Sequence, residues 1–284
     1  MRIDPSEIVG KMGELPTLPH VATKVMRLVN DPETSAKEVQ EAISTDQGMT
    51  GQILKISNSA MFGMKRPVKT LTHAIMLLGF DTIQSIVVAA ATKNLYQNKG
   101  GTGFKEKLIW ENSIGSALIA RGIGEQFSNI DKEEAFIGGL MHNLGKTVLN
   151  TKLTEQYTQV MNTAYNEDLP IHEVELREMG FTHADVGACI IKHWNLSESL
   201  ASGVQFYLEP QLAPAEHRVL TAIISMSDMF CNDLGLGVAK PTPLEEQDMT
   251  NVQSILNLSE EKLGKWREII HKKMEKDAAM VKSF

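Results

Sequence analysis

The stretch GGLMHNLGK, residues 138–146, carries the side chains of this sequence that are best suited to chemistry. His142 offers an imidazole that could ligate a metal ion. Asn143 and Lys146 add an amide and an ammonium group close by. Steps of three and four residues predict that His142 and Lys146 share one side of a buried helix with two of the glycines.

The glycines of this stretch have two explanations that the sequence leaves open. Gly138, Gly139 and Gly145 each cost a helix interior roughly 1 kcal/mol relative to alanine. They could allow close packing of helices, or they could clear space around a polar pocket. A lone histidine in such a helix is more often a hydrogen-bonded core residue than a ligand, so the wider sequence has to decide.

The composition of the chain excludes several classes of protein. The chain has 284 residues, 42% of them hydrophobic and 22% charged, which is typical of a soluble globular protein. The formal net charge of −7 argues against a nucleic-acid-binding surface along the whole chain. The two cysteines, Cys189 and Cys231, form no CxxC pair, which disfavours a disulfide scaffold and a cysteine-ligated zinc. No P-loop, GxSxG or HExxH motif is present.

The N-terminus contains no apolar signal-peptide core, and the most apolar stretch, residues 86–91, is too short to span a bilayer. We therefore expect a cytoplasmic protein that does not bind membranes.

Apolar residues at helical spacing dominate the chain, and strand-like alternation is not found, so an all-α fold is predicted. Ser35 and Glu38 form a capping-box pattern. Helices at 70–78 and 81–96 are expected on either side of Gly79-Phe80. A single helix is expected over 135–149, with Asp131 as its cap and Glu134 completing a second capping box.

Two breaks divide the chain: QNKGGTGFK at 97–105 and GLGVAKPTPLEE at 235–246. They predict an N-terminal helical subdomain (1–98), a second helical subdomain (105–235) and a C-terminal helical extension (236–284).

Three further features are interpreted as structural. His193-Trp194 is expected to be a core anchor, and His172 with Glu173 to lie on an exposed helix face. The helix KLGKWREIIHKKMEK, residues 262–276, is expected to place Leu263, Trp266, Ile269, Ile270 and Met274 on one side and to pack on the domain or on a partner.

The order and spacing of five segments resemble the HDOD family, a signalling branch of the HD phosphohydrolase superfamily, over residues 14–235. The segments are ELPTLPHVATKVMRLVND, STDQGMTGQILKISNSAMFG, LTHAIMLLGFDTIQSIVV, GGLMHNLGKTVL and GFTHADVGACIIKHWNL. The resemblance implies a cluster of short N-terminal helices packed on an HD-like helical bundle, followed by the C-terminal extension.

In the hydrolase branches of that superfamily, His, His-Asp and Asp residues bind divalent metals between helices, and a metal-bound water attacks a phosphoester. The positions that correspond to this site are Asn112, His142, Asn143, Lys146, His183 and Asp228. Asn112 replaces the first histidine ligand and Asn143 replaces the aspartate. Phe206 and Tyr207 replace a further pair of histidines. An asparagine supplies a neutral oxygen, which binds a divalent cation weakly.

The resemblance with these departures implies a vestigial pocket without catalytic residues. No cofactor is expected, although a weak divalent metal at His142, His183 and Asp228 is left open. The favoured hypothesis is a bacterial signal-transduction module that binds a signalling protein or a small ligand, with a nucleotide second messenger as one candidate. The alternative is a metal-dependent phosphohydrolase that acts on a nucleotide or cyclic dinucleotide. Nucleic acid is the least favoured partner.

Overall fold

The computed structural model describes residues 7, 8, 10, 13–96, 104–237 and 246–282, and every regular element in these ranges is helical. The helices are α1 (His20–Val29), α2 (Ala36–Ser44), α3 (Gln47–Ser57), α4 (Leu71–Tyr96), α5 (Phe104–Gly124), α6 (Lys132–Met141), α7 (Leu144–Lys152), α8 (Thr154–Glu167), α9 (Ile171–Met179), α10 (His183–His193), α11 (Glu198–Phe206), α12 (Arg218–Asp233), α13 (Glu246–Leu256) and α14 (Glu260–Lys282). Short 3-10 helices lie at Ala60–Phe62 and Pro210–Leu212. The predicted all-α fold is confirmed.

The N-terminal helices α1 to α3 pack against α4. The predicted capping box is present at the start of α2, where the Ser35 side chain accepts from the Glu38 N–H and the Glu38 carboxylate accepts from the Ser35 N–H. Helix α4 is kinked at Gly79, which adopts φ 81° and ψ 170°. A side chain rarely tolerates this backbone conformation, so the two predicted helices meet at a glycine for a steric reason.

Helix α4 contains the most apolar long segment of the described residues. Leu71–Lys93 is long and apolar enough to cross a membrane, with a mean hydropathy of 1.8. However, 61% of its most apolar 18-residue window is buried inside the protein. Its apolar residues, such as Ile83, Ile86 and Val87, belong to the hydrophobic core. This is the environment of a core helix.

Helix α5 lies at the centre of the second half of the molecule, in contact with α6 and α12. Every residue from 110 to 121 is buried, so helices surround α5 on all sides. At its end, Arg121 forms a buried ion pair with Glu133 at 3.0 Å and lies over the Phe62 ring at 4.5 Å. These contacts fix the N-terminal helices against the bundle.

The predicted helix over 135–149 is wrong as a single element. α6 ends at Met141 and α7 begins at Leu144, with a turn at His142-Asn143 between them. Asn143 adopts φ −95° and ψ 0°, and its carbonyl accepts from the Lys146 N–H in a three-residue step. The turn interrupts the α-helical hydrogen-bond ladder and lets α6 pack on α5 while α7 packs on α10.

The predicted capping box before α6 is also wrong. Asp131 does cap the helix, but its carboxylate accepts from the Glu133 N–H at 2.8 Å. The Glu134 carboxylate instead accepts hydrogen bonds from Ser197 and Ser199. The Glu134 side chain therefore bonds to residues distant in sequence and not to the backbone at the start of α6.

Helix α14 packs on the domain through one face, where Trp266, Ile270 and Met274 are buried. Ile269 differs from the prediction, because 53% of its surface is exposed.

Both predicted breaks lie mainly outside the described residues, at 97–103 and 238–245.

Polar contacts tie α14 to both halves of the molecule. The Asp277 carboxylate, 3% exposed, accepts from the Ser59 hydroxyl at 2.7 Å and from the Ala60 N–H at 2.6 Å. Arg267 donates from Nε and from one terminal guanidinium nitrogen to Asp233, at the end of α12. Helix α14 therefore connects the N-terminal helices to the helix that carries Asp228.

Candidate functional site

The turn between α6 and α7 places His142 at the centre of the candidate site, where the residue is fully buried. Its Nδ1 lies 2.6 Å from the carbonyl of Gly139, which can only accept, so Nδ1 carries a proton and donates. Its Nε2 lies 3.3 Å from Oδ1 of Asp228 on α12. Two of the predicted site residues, 86 positions apart, are thereby in contact.

The glycines around His142 serve helix packing, which decides between the two explanations left open by the sequence. A Cβ on Gly145 would lie 1.9 Å from the backbone oxygen of His183, and one on Gly139 would lie 2.6 Å from the backbone oxygen of Ser116. A Cβ on Gly138 would meet the Ile224 side chain at 2.4 Å. Each glycine permits the close approach of a neighbouring helix.

Asn112 and Asn143 pair with each other. Asn143 Nδ2 donates to Asn112 Oδ1 at 2.6 Å, and Asn112 Nδ2 donates onward to Asn232 Oδ1 at 3.3 Å. Both residues are buried, with 4% and 2% of their surfaces exposed. Two of the positions that correspond to metal ligands are thus joined by a neutral amide hydrogen bond.

His183, at the start of α10, has protein partners on both ring nitrogens. Its Nδ1 lies 2.7 Å from the Glu175 carboxylate, and its Nε2 lies 2.6 Å from the Tyr207 hydroxyl. Glu175 also accepts from the His183 backbone N–H at 2.9 Å and from the Tyr157 hydroxyl at 2.7 Å. The result is a buried chain of four side chains, from α8, α9, α10 and the turn that follows α11.

The pKa values in this chain favour an ionised acid and a neutral imidazole. Burial alone raises the pKa of Glu175, but the hydrogen bonds that it accepts from His183 and Tyr157 lower it below its usual range. Burial lowers the pKa of His183 to about 4, although Glu175 opposes that shift. Burial also raises the pKa of Tyr207 well above its usual range. Nδ1 of His183 therefore donates to Glu175, and Nε2 accepts from the neutral phenol.

Tyr207 lies between the two histidines. Its ring meets the His142 ring edge-to-face, with centroids 5.0 Å apart, and its centroid is 5.9 Å from that of the His183 ring. Only 2% of Tyr207 is exposed. The phenol thus fills the space between the imidazoles as well as bonding to one of them.

Asp228 carries the negative charge nearest to His142. Burial acts to raise the pKa of Asp228, but the hydrogen bond and charge of His142, together with the charge of Lys146, lower it to about 2. The carboxylate is therefore ionised at neutral pH, with a cationic lysine on the same side of the site.

A cleft of about 510 Å³ opens beside these residues. Its walls include Lys146, His172, Glu173, His183, Tyr207, Ser225, Asp228 and Asn232. His172 corrects the sequence prediction, because it is partly buried and lines the cleft instead of facing solvent. Glu173 is exposed as predicted. The cleft is polar and large enough for a small organic ligand.

The predicted metal ligands do not converge. His142 contacts Asp228, whereas His183 is directed at Glu175 and Tyr207. Within the part of the chain that the structure describes, no three His, Cys, Asp or Glu residues are placed to hold a metal ion.

Glu175 and Tyr157 are site residues that the sequence reasoning missed. Both are buried polar side chains, on α9 and α8, and neither belongs to a recognisable motif. The signal that could have found Glu175 is its spacing eight residues before His183, with the helix end at Gly180 between them. The prediction of His193-Trp194 as a core anchor holds for Trp194, which is buried and donates its indole N–H to the Pro16 carbonyl at 2.7 Å. It is wrong for His193, which is exposed.

Comparisons with known proteins agree with this fold. The HDOD domain model matches residues 15–210, which is more than half of the chain. An HDOD domain protein of Geobacter sulfurreducens has a similar structure, with a TM-score of 0.78 and 22% identity, covering 98% of this chain and 95% of that one. A proposed phosphohydrolase of Shewanella amazonensis SB2B superposes with a TM-score of 0.77 and 22% identity, covering 97% of both chains.

A third relative is an uncharacterized protein of Treponema pallidum (strain Nichols), which is 24% identical over 228 residues. The match covers 79% of this chain, and it spans only 43% of the length of that relative. The structural likenesses show a shared fold, and the match of the domain model shows the family. This chain belongs to the HDOD domain family.

Proposed function

We propose that this chain is a non-catalytic signal-transduction module, which acts by binding a partner protein or a small ligand. The observation that carries the proposal is the environment of His183, whose two nitrogens are both hydrogen-bonded to protein groups. A metal-dependent hydrolase needs such an imidazole to have a free lone pair, and a lone pair that accepts from a phenol is not free.

The charge of the site supports the same proposal. Hydrolytic metal centres combine imidazoles with carboxylates, and negative charge contributes much of the affinity for a divalent cation. Here Asn112 and Asn143 supply a neutral amide pair, and Asp228 is the carboxylate next to His142. The donor set does not fit a hydrolytic metal centre, so we derive no step of phosphoester cleavage from it.

The cleft supports a binding role. Lys146, Ser225 and Asn232 present hydrogen-bond donors to it, and Asp228 presents an ionised acceptor. A small molecule that combines anionic and donor groups, such as a nucleotide second messenger, fits this chemistry. A protein partner would engage the surface of the N-terminal helices, and the site of action would be the cytoplasm.

The experiment has two parts. Protein purified without chelator is analysed for iron, manganese and zinc, and it is assayed with generic phosphodiesters, nucleotides and cyclic dinucleotides. The proposal predicts substoichiometric metal and no turnover. Near-stoichiometric metal, together with turnover that is lost in His142→Ala, would instead establish the alternative, a metal-dependent phosphohydrolase.

Binding is tested in parallel by affinity capture from the native cell with wild type and with Asn112→Ala, His142→Ala and Asn143→Ala. Thermal unfolding first establishes that each variant is folded. Partner capture that weakens in the folded variants supports a role of the pocket in signalling. Unchanged capture would restrict the pocket to a structural role.

A further inference from the structure

The loop before α4, residues 64–69, presents three cations to solvent. Its sequence is MKRPVK, and Lys65, Arg66 and Lys69 are all exposed. Among the described residues, none of these three side chains forms an ion pair with a carboxylate. The loop therefore offers three unpaired positive charges to an anionic group of another molecule.

The positive charge is concentrated in one part of an acidic chain. Residues 47–80 contain four lysine and arginine side chains and no aspartate or glutamate, although the whole chain has 35 acidic and 28 basic residues. The fourth cation of this stretch is Lys55, one turn before Asn58 at the end of α3. Burial and the repulsion of Lys93 lower the pKa of Lys55, so a further lysine is close by. The potential around the loop is therefore positive, and it attracts anions to this face.

The loop is held in a fixed position by Asn58. The Asn58 side chain accepts from the Val68 N–H at 2.7 Å and donates to the Val68 carbonyl at 2.8 Å. The same amide group donates to the Leu54 carbonyl at 2.7 Å, which ties the loop to α3. Val68 is buried beneath the loop. A loop that is already ordered loses little conformational entropy on binding, so its charges are presented in a defined geometry.

An apolar surface adjoins the cations. Met76 and Leu77, in the first part of α4, are both more than half exposed. Helix α4 begins at Leu71, directly after the loop, which places Met76 about 8 Å along the helix axis. An extended peptide of about six residues spans roughly 20 Å. One short segment of another protein can therefore contact the cations and both apolar side chains.

We propose that the loop at 64–69, Met76 and Leu77 form one docking surface for an acidic segment of a partner protein. The segment sets carboxylates opposite the three cations and an apolar side chain against Met76 and Leu77. This surface deepens the proposed function and rests on it, because it gives the chemistry of the protein that a non-catalytic module would bind.

The observations favour a protein over two other anionic partners. Nucleic acid and an anionic membrane are extended arrays of charge, and the net charge of −7 opposes the approach of either. Bases stack on aromatic rings, and membrane interfaces favour tryptophan and tyrosine. The exposed apolar residues here are a methionine and a leucine, which suit an adaptable contact with a protein side chain.

The test uses the full chain and defined peptide probes. A fluorescein-labelled peptide of about 12 residues, composed of Glu, Asp and Leu, is titrated with the protein at low and at high NaCl, and anisotropy reports binding. One matched peptide has Lys in place of both acids, and another has Ser in place of Leu. We expect the acidic peptide to bind with an affinity that falls as salt rises, because salt screens the charges. The Lys peptide should not bind, and the Ser peptide should bind at least about threefold more weakly.

Two variant pairs with equal changes in net charge locate the surface. Lys65→Glu with Arg66→Glu should weaken binding of the acidic peptide at least about tenfold. Lys152→Glu with Lys272→Glu reverses two exposed charges on α7 and α14, and it should weaken binding by less than about twofold. Thermal unfolding first establishes that each variant is folded. If the first pair does not fold, Lys65→Gln with Arg66→Gln replaces it, with an expected loss of at least about threefold.

A third pair tests the apolar part at unchanged charge. Met76→Ser with Leu77→Ser should weaken binding of the acidic peptide about fivefold, because it removes the apolar contact. The affinity of the Ser peptide should be unchanged in this variant. A loss that is the same for both peptides would show that Met76 and Leu77 do not meet the leucines.

The outcomes separate this surface from the proposed function. The docking surface is wrong if the acidic peptide shows no binding up to about 1 mM, or if both charge-reversal pairs weaken binding equally. Vesicles containing phosphatidylglycerol and a short DNA duplex are tested alongside. Tighter binding of either, lost in Lys65→Glu with Arg66→Glu, overturns the assignment to a protein partner. Metal-dependent turnover by wild type overturns the proposed function without changing the peptide result, whereas absence of peptide binding leaves a non-catalytic pocket in place.

Discussion

The hydroxyl of Tyr207 donates to Nε2 of His183 across 2.6 Å, while the opposite nitrogen of that imidazole is held by Glu175. One side chain thus satisfies the last free hydrogen-bonding position of a fully buried histidine. The stability of the domain and the chemistry of its pocket depend on the same contact.

Tyr207→Phe tests the structural value of that contact. The ring remains, but the buried Nε2 loses its partner, so the free energy of unfolding should fall by about 1–3 kcal/mol. Urea unfolding measures the loss. Tyr165→Phe is the matched control, because Tyr165 is 83% exposed and its variant should be unchanged. Equal stability of the two variants would contradict the hydrogen bond.

The stability of the protein should increase with pH between about 4 and 6.5. The pKa of His183 is lowered from its ordinary value to about 4 in the folded state. The unfolded chain therefore binds more protons in this window, and acid favours unfolding. This group contributes on the order of 3 kcal/mol across the window.

Urea unfolding at a series of pH values checks this slope. His183→Gln should be less stable at neutral pH, and its stability should depend less on pH between 4 and 6.5. A slope identical to that of wild type would contradict the buried neutral histidine.

A further loss of stability is expected as pH falls from about 3.8 towards 2. The pKa of Asp228 is lowered to about 2 in the folded state, and protonation of Asp228 then removes its stabilising charge.

Gly145→Ala and Gly264→Ala should change stability in opposite directions. At position 145 a Cβ would lie 1.9 Å from the His183 backbone oxygen, so α7 must move away from α10. We expect a loss of several kcal/mol, as for other severe overpacking of a core. At position 264, within α14, nothing lies within 4 Å. That substitution should stabilise the protein by up to about 1 kcal/mol. Thermal unfolding of both variants provides the comparison.

Asp277→Ala should weaken the attachment of α14 to the N-terminal helices. It removes the acceptor of the Ser59 hydroxyl and of the Ala60 N–H from a buried site, at an expected cost of about 1–3 kcal/mol. Lys265→Ala removes an exposed ion pair with Glu261 from the same helix and should change stability by less than about 0.5 kcal/mol. Hydrogen exchange should locate the effect of Asp277→Ala in residues 57–62 and α14. Exchange that increases equally in both variants would rule out a specific tie.

Several elements were predictable because their causes are local. Apolar spacing predicted the helices, the Ser35–Glu38 pattern predicted a capping box, and Gly79 predicted a break. Errors occurred where a distant partner competed with a local pattern. Glu134 completes a capping box by spacing, yet it bonds to serines more than 60 positions away. The break at His142-Asn143 was missed because its neighbours on both sides have helical spacing.

The candidate site was also predicted only in part. Its residue types were predicted from the resemblance, including the substitutions at Asn112 and Asn143. His172 and Glu175 were not recognised, because the sequence of α9 does not indicate which of its sides lines the cleft and which packs against His183. The resemblance identified Tyr207 only as a replacement for a histidine.

The sequence by itself determined the helical class, the family and the types of side chain available to the pocket, because these follow from spacing and from motifs of adjacent residues. The tertiary structure alone decided which groups meet. The contacts of Asp228 with His142, of Glu175 with His183 and of Tyr207 with both histidines join residues from different helices and from the turns that follow them. Their geometry depends on how glycine-lined helices pack.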